Sequence, residues 1–362
     1  MTTTVQPPLT IHAGDRALER IRERGLRPED VGTIPGAAGG PKALGLQGLD
    51  RVLFGDWLQR APRSRSLIGS SIGSWRFACV CLPEPVAALE RLGELYTAQR
   101  FFKGITPAQV SQQCRQMLDD LLQGQEAEIL AQDRYRLNVL VARSRGILGS
   151  DARPLLGLGL AAVVLANTLH RPWVRLGFER LILHDPRSGP PLEALDSISG
   201  RYEPLATDNL RDALLASGSI PLVMEAVDEI KGVPGQGFRD GGLTDYHLDL
   251  PYAGDDLVLY PHFTDRIVPG WFDKALSWRH GDPQRLSNLV LIAPSREYLA
   301  SLPDGHLPDR RDFPAYEGDD ATRERHWRQA IAESERLGDH FLELTDNKRV
   351  ADVVRPLSEI TG

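Results

Sequence analysis

The chain has 362 residues, 41% of them hydrophobic and 25% charged, which supplies a substantial core and excludes a disordered or fibrous chain. Its 42 Lys and Arg against 49 Asp and Glu leave a net charge of −7. No global positive field draws such a chain to phosphate backbones, so nucleic acid is not expected as a partner.

Cys79, Cys81 and Cys114 are the only cysteines, an odd number without the spacing of a disulfide framework or a zinc site. A reducing, cytoplasmic setting is expected. Met1 to Thr10 lacks the basic and apolar regions of a secretory signal. The longest uncharged apolar stretch, Leu155 to Ala166, is too short to cross a bilayer. Any membrane contact is therefore expected to be transient and from one side.

Ala17 to Glu23 reads as a short helix ended by Gly25. The apolar segment Val31 to Ile34 then leads into Gly36-Ala37-Ala38-Gly39-Gly40-Pro41-Lys42, where Pro41 suits the first turn of a helix running through Leu49 to Leu53. A strand, a tight loop and a helix N-terminus in that order form a ready anion site. Ser66 to Gly69 is a second short strand, followed by Gly69-Ser70-Ser71-Ile72-Gly73 and the apolar run Trp75 to Leu82. Glu84 to Gln99 and Pro107 to Gln123 have helical periodicity, the latter capped by Thr106. Leu137 to Ala142, Arg180 to His184, Leu257 to Tyr260 and Leu289 to Ala293 read as strands. Asn209 to Ser217 and Thr322 to Arg336 read as helices, and Asp304 to Asp320 as an irregular surface excursion. Strands and helices alternate throughout, without an internal repeat or a low-complexity linker. The expectation is one α/β domain.

A serine between two glycines matters where a strand gives way to a helix. The turn is then so sharp that only small neighbours fit, and it lifts the hydroxyl above the sheet. Gly69, Ser71 and Gly73 have that spacing, and the N–H of Ile72 would face an oxyanion. The same residues also fit a plain turn; the glycine spacing favours Ser71 over Ser70. Gly36 to Gly40 lacks the Gly-Lys-Ser/Thr ending of a nucleotide P-loop, because Ala43 and Leu44 follow Lys42. Backbone donors for an oxyanion hole use these glycines more economically. In Phe238-Arg239-Asp240-Gly241-Gly242 the acid followed by two glycines is either a turn or a carboxylate held beside a hydroxyl. In the second case Asp240 is the general base for Ser71, and needs burial or a preorganised hydrogen bond to act as one.

Gly39-Gly40-Pro41-Lys42, Gly69-Ser70-Ser71-Ile72-Gly73 and Asp240-Gly241-Gly242, in that order, resemble the patatin-like phospholipases. Ala216-Ser217-Gly218-Ser219-Ile220-Pro221 looks like that family's block ahead of the aspartate motif. The resemblance implies a three-layer α/β/α fold with a central mixed sheet. It implies a single domain over 1–362, with a motif-bearing core from about 28 to 262 and a C-terminal extension beyond. It further implies a Ser71–Asp240 dyad, an oxyanion hole from Gly39, Gly40 and Ile72, and supporting roles for Lys42, Gly69, Gly73, Gly241 and Gly242. Lys42 fixes the loop or presents a charge, since an ordinary lysine is protonated at neutral pH. The implied activity is hydrolysis of fatty-acyl esters of phospholipids or related lipids through an acyl-enzyme, with no metal or other cofactor. Ala43 departs from the family pattern, standing where the loop's last glycine usually is.

Other readings stay open. Acyl transfer to an alcohol shares the first half-reaction. A silent lipid-binding protein would keep the same residues with a closed oxyanion loop. His247 or His262 would complete a Ser–His–Asp triad, the order Ser71, Asp240, His262 being that of an α/β-hydrolase. Asp245 and Asp249 match no metal-loop signature and are expected at turns and the surface, with Glu225 and Asp228 exposed near a strand edge. Trp75 and Phe77 are the aromatic residues expected nearest the nucleophile. Phe101-Phe102-Lys103 and Trp271-Phe272 are expected to reach an interface.

Overall fold

Among the described residues, ten strands, most of them apolar runs with buried side chains on both faces, make one mixed sheet flanked by helices. A computed structural model describes residues 7–193, 198 and 200–361, so the opening part of the Met1 to Thr10 segment lies outside it. The strands are β1 (Leu9–Ala13), β2 (Val31–Gly36), β3 (Arg65–Ser70), β4 (Tyr135–Ser144), β5 (Phe178–His184), β6 (Gly200–Pro204), β7 (Phe238–Asp240), β8 (Leu257–Pro261), β9 (Leu289–Pro294) and β10 (Arg355–Pro356). Their order is β10-β1-β9-β8-β2-β3-β4-β5-β6, with β7 added along β4. The middle block, β9-β8-β2-β3-β4, is parallel. β1 and β5 run antiparallel to their neighbours β9 and β4. Residues beyond 262 thus supply two strands of the same sheet.

Eight helices matter below: α1 (Asp15–Arg24), α2 (Gln47–Gly55), α3 (Ile72–Val80), α4 (Pro85–Thr97), α5 (Pro107–Leu122), α6 (Glu126–Ala131), α7 (Arg153–Leu169) and α8 (Leu210–Gly218). α1 ends at Gly25 with a φ of 79°, where a glycine relieves the strain. Thr106 and Gln109 close a reciprocal capping box ahead of α5.

Two expectations change. The helix expected from Pro41 begins as a 3₁₀ turn, Gly40–Leu46, and becomes α-helical only at Gln47. Gly45 and Gly48 are pressed there against Leu307 and the Ser334–Glu335 backbone, so the later chain shapes this turn. The helix expected over Thr322 to Arg336 breaks at Ser334, whose hydroxyl accepts the Gly48 N–H at 2.8 Å and donates to Ile331 O. Asp304 to Asp320 is the irregular, mostly exposed segment expected, pinned to the body at a few points. Asp312 is buried and accepts the Trp327 indole N–H at 2.8 Å, which ties the segment to the helix Asp320–Glu333. Among the described residues, no helix is long and apolar enough to cross a membrane.

Candidate active site

Strand β4 acts as the ruler that brings distant residues together. β5 occupies one of its edges; along the other, β3 pairs as far as Ser70 opposite Leu140, and β7, running antiparallel, ends with Asp240 opposite Val141. The two strands meet end to end, so residues 169 positions apart in sequence become neighbours. The Ser71 hydroxyl donates to Asp240 Oδ2 at 2.7 Å, and both residues are buried.

The turn at Ser71 is strained, with φ 56° and ψ −128°, a conformation that costs about 1–3 kcal/mol. Glycines permit it. Gly36 and Gly69 lie opposite each other at the ends of β2 and β3. A Cβ at Gly73 would overlap the Gly36 carbonyl, and one at Gly36 would lie 2.7 Å from the Phe77 ring. α3 therefore starts directly on the strand ends. Ser217 holds the turn from outside: its Oγ accepts the Ser71 N–H at 2.9 Å and donates to Leu140 O at 2.6 Å. From the same block, the Ser219 carbonyl accepts the Asp240 N–H. Ser70 is fully buried beneath the turn, under Gly241, and does not face a cavity.

Asp240 Oδ1 accepts the Gly242 N–H at 2.7 Å, and a side chain at Gly241 would collide with the Leu140 carbonyl. Both glycines let the backbone carry the carboxylate in close. Burial pushes the Asp240 pKa up; the Ser71 hydroxyl, Arg310, the Gly242 N–H and Lys274 oppose it. A base of raised affinity for protons is what a carboxylate needs to accept one from a serine. Gly40 has a φ of 59° and starts the 3₁₀ turn, while Gly39 has no room for a side chain because Phe263 fills it. Ile72 opens α3. The N–H groups of Gly39, Gly40 and Ile72 have no acceptor among the described residues, as first-turn donors generally do not.

Two cavities meet at Ser71. The first, about 280 Å³, is walled by Trp75, Tyr96, Phe101, Ile105, Val110 and their apolar neighbours. The second, about 160 Å³, is lined by Gly39, Lys42, Asp240, Tyr246, Trp271 and Lys274 among others. Ile220 and Arg310 border both. Lys42 pairs with Asp309 at 3.3 Å and lies over the Phe263 ring. Lys274 stands 4.0 Å from the Tyr246 ring centre; burial, with Lys42 and Arg310 nearby, brings its pKa down to about 8.

Sequence reasoning misses Arg310 and Lys274. Both lie in segments without periodicity, where a cation looks like any solvated side chain. It also misplaces several residues. Phe77 packs in the core against Phe54 and lines neither cavity. Phe272 is buried against Phe178, while Phe102 is exposed and Trp271 stands at the second cavity's mouth. Asp245 and Asp249 are not surface residues: Asp245 is buried in a two-point pair with Arg180 at 2.5 and 2.6 Å, and Asp249 is held by Arg285 and the Asp282 N–H. Glu225 and Asp228 are exposed as expected. His247 and His262 are buried against each other, 4.3 Å between ring centres, with their Nδ1 atoms engaged by backbone. Burial takes His262 down to about 3 and His247 well below its ordinary value. Among the described residues, no histidine is hydrogen-bonded to Ser71 or Asp240.

No protein-family model matches the chain, and no curated protein matches it significantly.

Proposed function

We propose that the chain is a serine acyl hydrolase of the patatin-like type, with the three-layer fold of that family. The 2.7 Å hydrogen bond from the Ser71 hydroxyl to Asp240, at a strained elbow between two cavities, carries this reading. The reading is supported by the proximity of the glycine loop, the elbow, the Ala216–Pro221 block and Asp240 beyond the C-terminal ends of β2 and β3.

In this mechanism Ser71 Oγ attacks the ester carbonyl and Asp240 takes its proton. The N–H groups of Gly39, Gly40 and Ile72 stabilise the oxyanion, each such donor supplying on the order of 10²–10³ in rate. Collapse expels the alkoxide, which takes the proton from Asp240 and leaves an acyl-Ser71. Water, deprotonated by Asp240, then releases the fatty acid. The apolar cavity takes the acyl chain, each buried methylene adding about 0.8 kcal/mol. Lys42, Lys274 and Arg310 outnumber Asp240 and Asp309 around the cavity for the alcohol, so the preferred leaving group carries phosphate or carboxylate.

The test is hydrolysis of p-nitrophenyl esters from acetate to palmitate by wild type and Ser71→Ala, with a calcium chelator present. Ser71-dependent turnover with a preferred chain length is the expected result. No turnover on any ester by the folded protein would overturn the reading.

A further inference from the structure

Of the 14 large apolar side chains that stand exposed among the described residues, eight lie between Ile147 and Leu176. α7 explains the concentration. Its inner stripe, Leu156, Gly159, Val163 and Asn167, is buried against the protein. An ordinary surface helix would turn polar residues outward. This one has no charged residue after Arg153, and its outer face shows Leu158 at 64%, Leu165 at 64% and Leu169 at 67% exposure, with Leu176 at 66% just beyond. Single exposed apolar residues are normal, but a contiguous patch marks something that covers it.

We propose that this face seats the protein on the surface of an anionic lipid aggregate, with the mouth of the Ser71 site turned toward it. Two observations select that occupant. The first is charge: Arg153 at the start of the helix and Arg175 just beyond its end stand exposed with no acidic partner among the described residues, in a chain of net −7, while Arg171 is held by Asp273 and Asp151 by Arg239. Cations flanking an apolar helix face match an anionic headgroup layer over an acyl interior. The second is continuity with the site. Leu160 of α7 lines the second cavity together with Leu222 and Trp271, both of which are themselves exposed. Asn167 ties α7 to that rim through a 2.7 Å hydrogen bond to buried Asp273, two residues after Trp271. Leu222 holds a φ of 68°, unfavourable for a leucine, at the tip that presents it outward. A second copy of the chain seated on this face would cover Leu160, Leu222 and Trp271 and close the mouth. A lipid surface instead delivers substrate there. Docking itself stands on the surface alone; the orientation of the mouth rests on the acyl-hydrolase reading.

The experiment is sedimentation of the full chain with phosphatidylcholine vesicles, with and without phosphatidylglycerol. It uses Ser71→Ala protein so that binding is read without turnover. The expected result is binding that rises with phosphatidylglycerol and a roughly tenfold or greater fall in partitioning for Leu158→Asp/Leu165→Asp. The milder Leu158→Ser/Leu165→Ser pair, checked by thermal melting, guards against an unfolded variant. With Ser71 restored, the Asp pair keeps its turnover of a soluble short-chain ester. Vesicle binding without turnover on any ester would support docking while removing the hydrolase reading. Absence of binding to either vesicle, or binding indifferent to phosphatidylglycerol, would overturn the proposal. So would a solution dimer that the Asp pair dissolves.

Discussion

On one side of Ser71 the wall is Trp75, Phe101, Ile105, Val110 and Phe313; on the other it includes Lys42, Lys274 and Arg310. The apolar wall comes largely from α3, α4, α5 and the loops beside them, whose periodicity buries one face and leaves a slot. The cationic wall comes from loops of the first turn and the C-terminal third. Under the proposed function the contrast divides selection in two: one side would measure an acyl chain by fit, the other would read an alcohol by charge. Arg310 borders both and is where the two readings meet.

The largest effect should come from removing what the two sides share. Ser71→Ala should lower kcat on any ester by on the order of 10⁴-fold or more, and Asp240→Asn nearly as far, since groups acting as a unit fail together. Steady-state assays with intact-fold controls check this. Retained turnover in either variant would erase the comparison altogether.

A second pair of variants separates the walls. Lys274→Met or Arg310→Ala should raise KM for an ester with an anionic alcohol about tenfold, while leaving a neutral ester of the same acyl chain within about twofold. Val110→Trp should do the converse, shortening the preferred acyl chain with little change in charge selectivity. If each variant shifts both properties, the two cavities are not independent subsites.

The pH dependence sharpens the same contrast. Lys274 is charged below about pH 8 and neutral above it, so KM for the anionic ester should rise above that pH while the neutral ester shows no such limb. Asp240 works as a carboxylate, and burial raises its pKa; the acid limb of kcat/KM should sit above the ordinary aspartate range for both esters. Paired pH profiles of the two substrates read both limbs.

The smallest effect on turnover should follow His247→Ala or His262→Ala. These rings fill a buried aromatic cluster with Tyr246, Tyr260 and Phe263, so their loss should lower the melting temperature without a selective fall in kcat. A complete loss of turnover in a folded variant would move the base from Asp240 to a histidine.

Much of the site was legible in the sequence because its parts are local backbone requirements. A strained turn needs Gly69 and Gly73, close strand ends need Gly36, and a carboxylate carried inward needs Gly241 and Gly242; glycines at fixed spacing print these needs directly. Long-range placement leaves no such mark. Arg310 sits in an aperiodic segment that is pinned through Asp312 to Trp327, a tie that no local pattern prints. Asp245 reads as a turn acid because its partner, Arg180, lies far back in the chain on β5. The 3₁₀ start after Gly40 is likewise set by Leu307 and Ser334, far along the chain.

The most direct test of the central claim is to label the folded protein with a fluorophosphonate and map the adduct by peptide mass. The account predicts a single adduct on Ser71, abolished in Ser71→Ala and strongly slowed in Asp240→Asn. An adduct on Ser70, or none on protein shown to be folded, would contradict it.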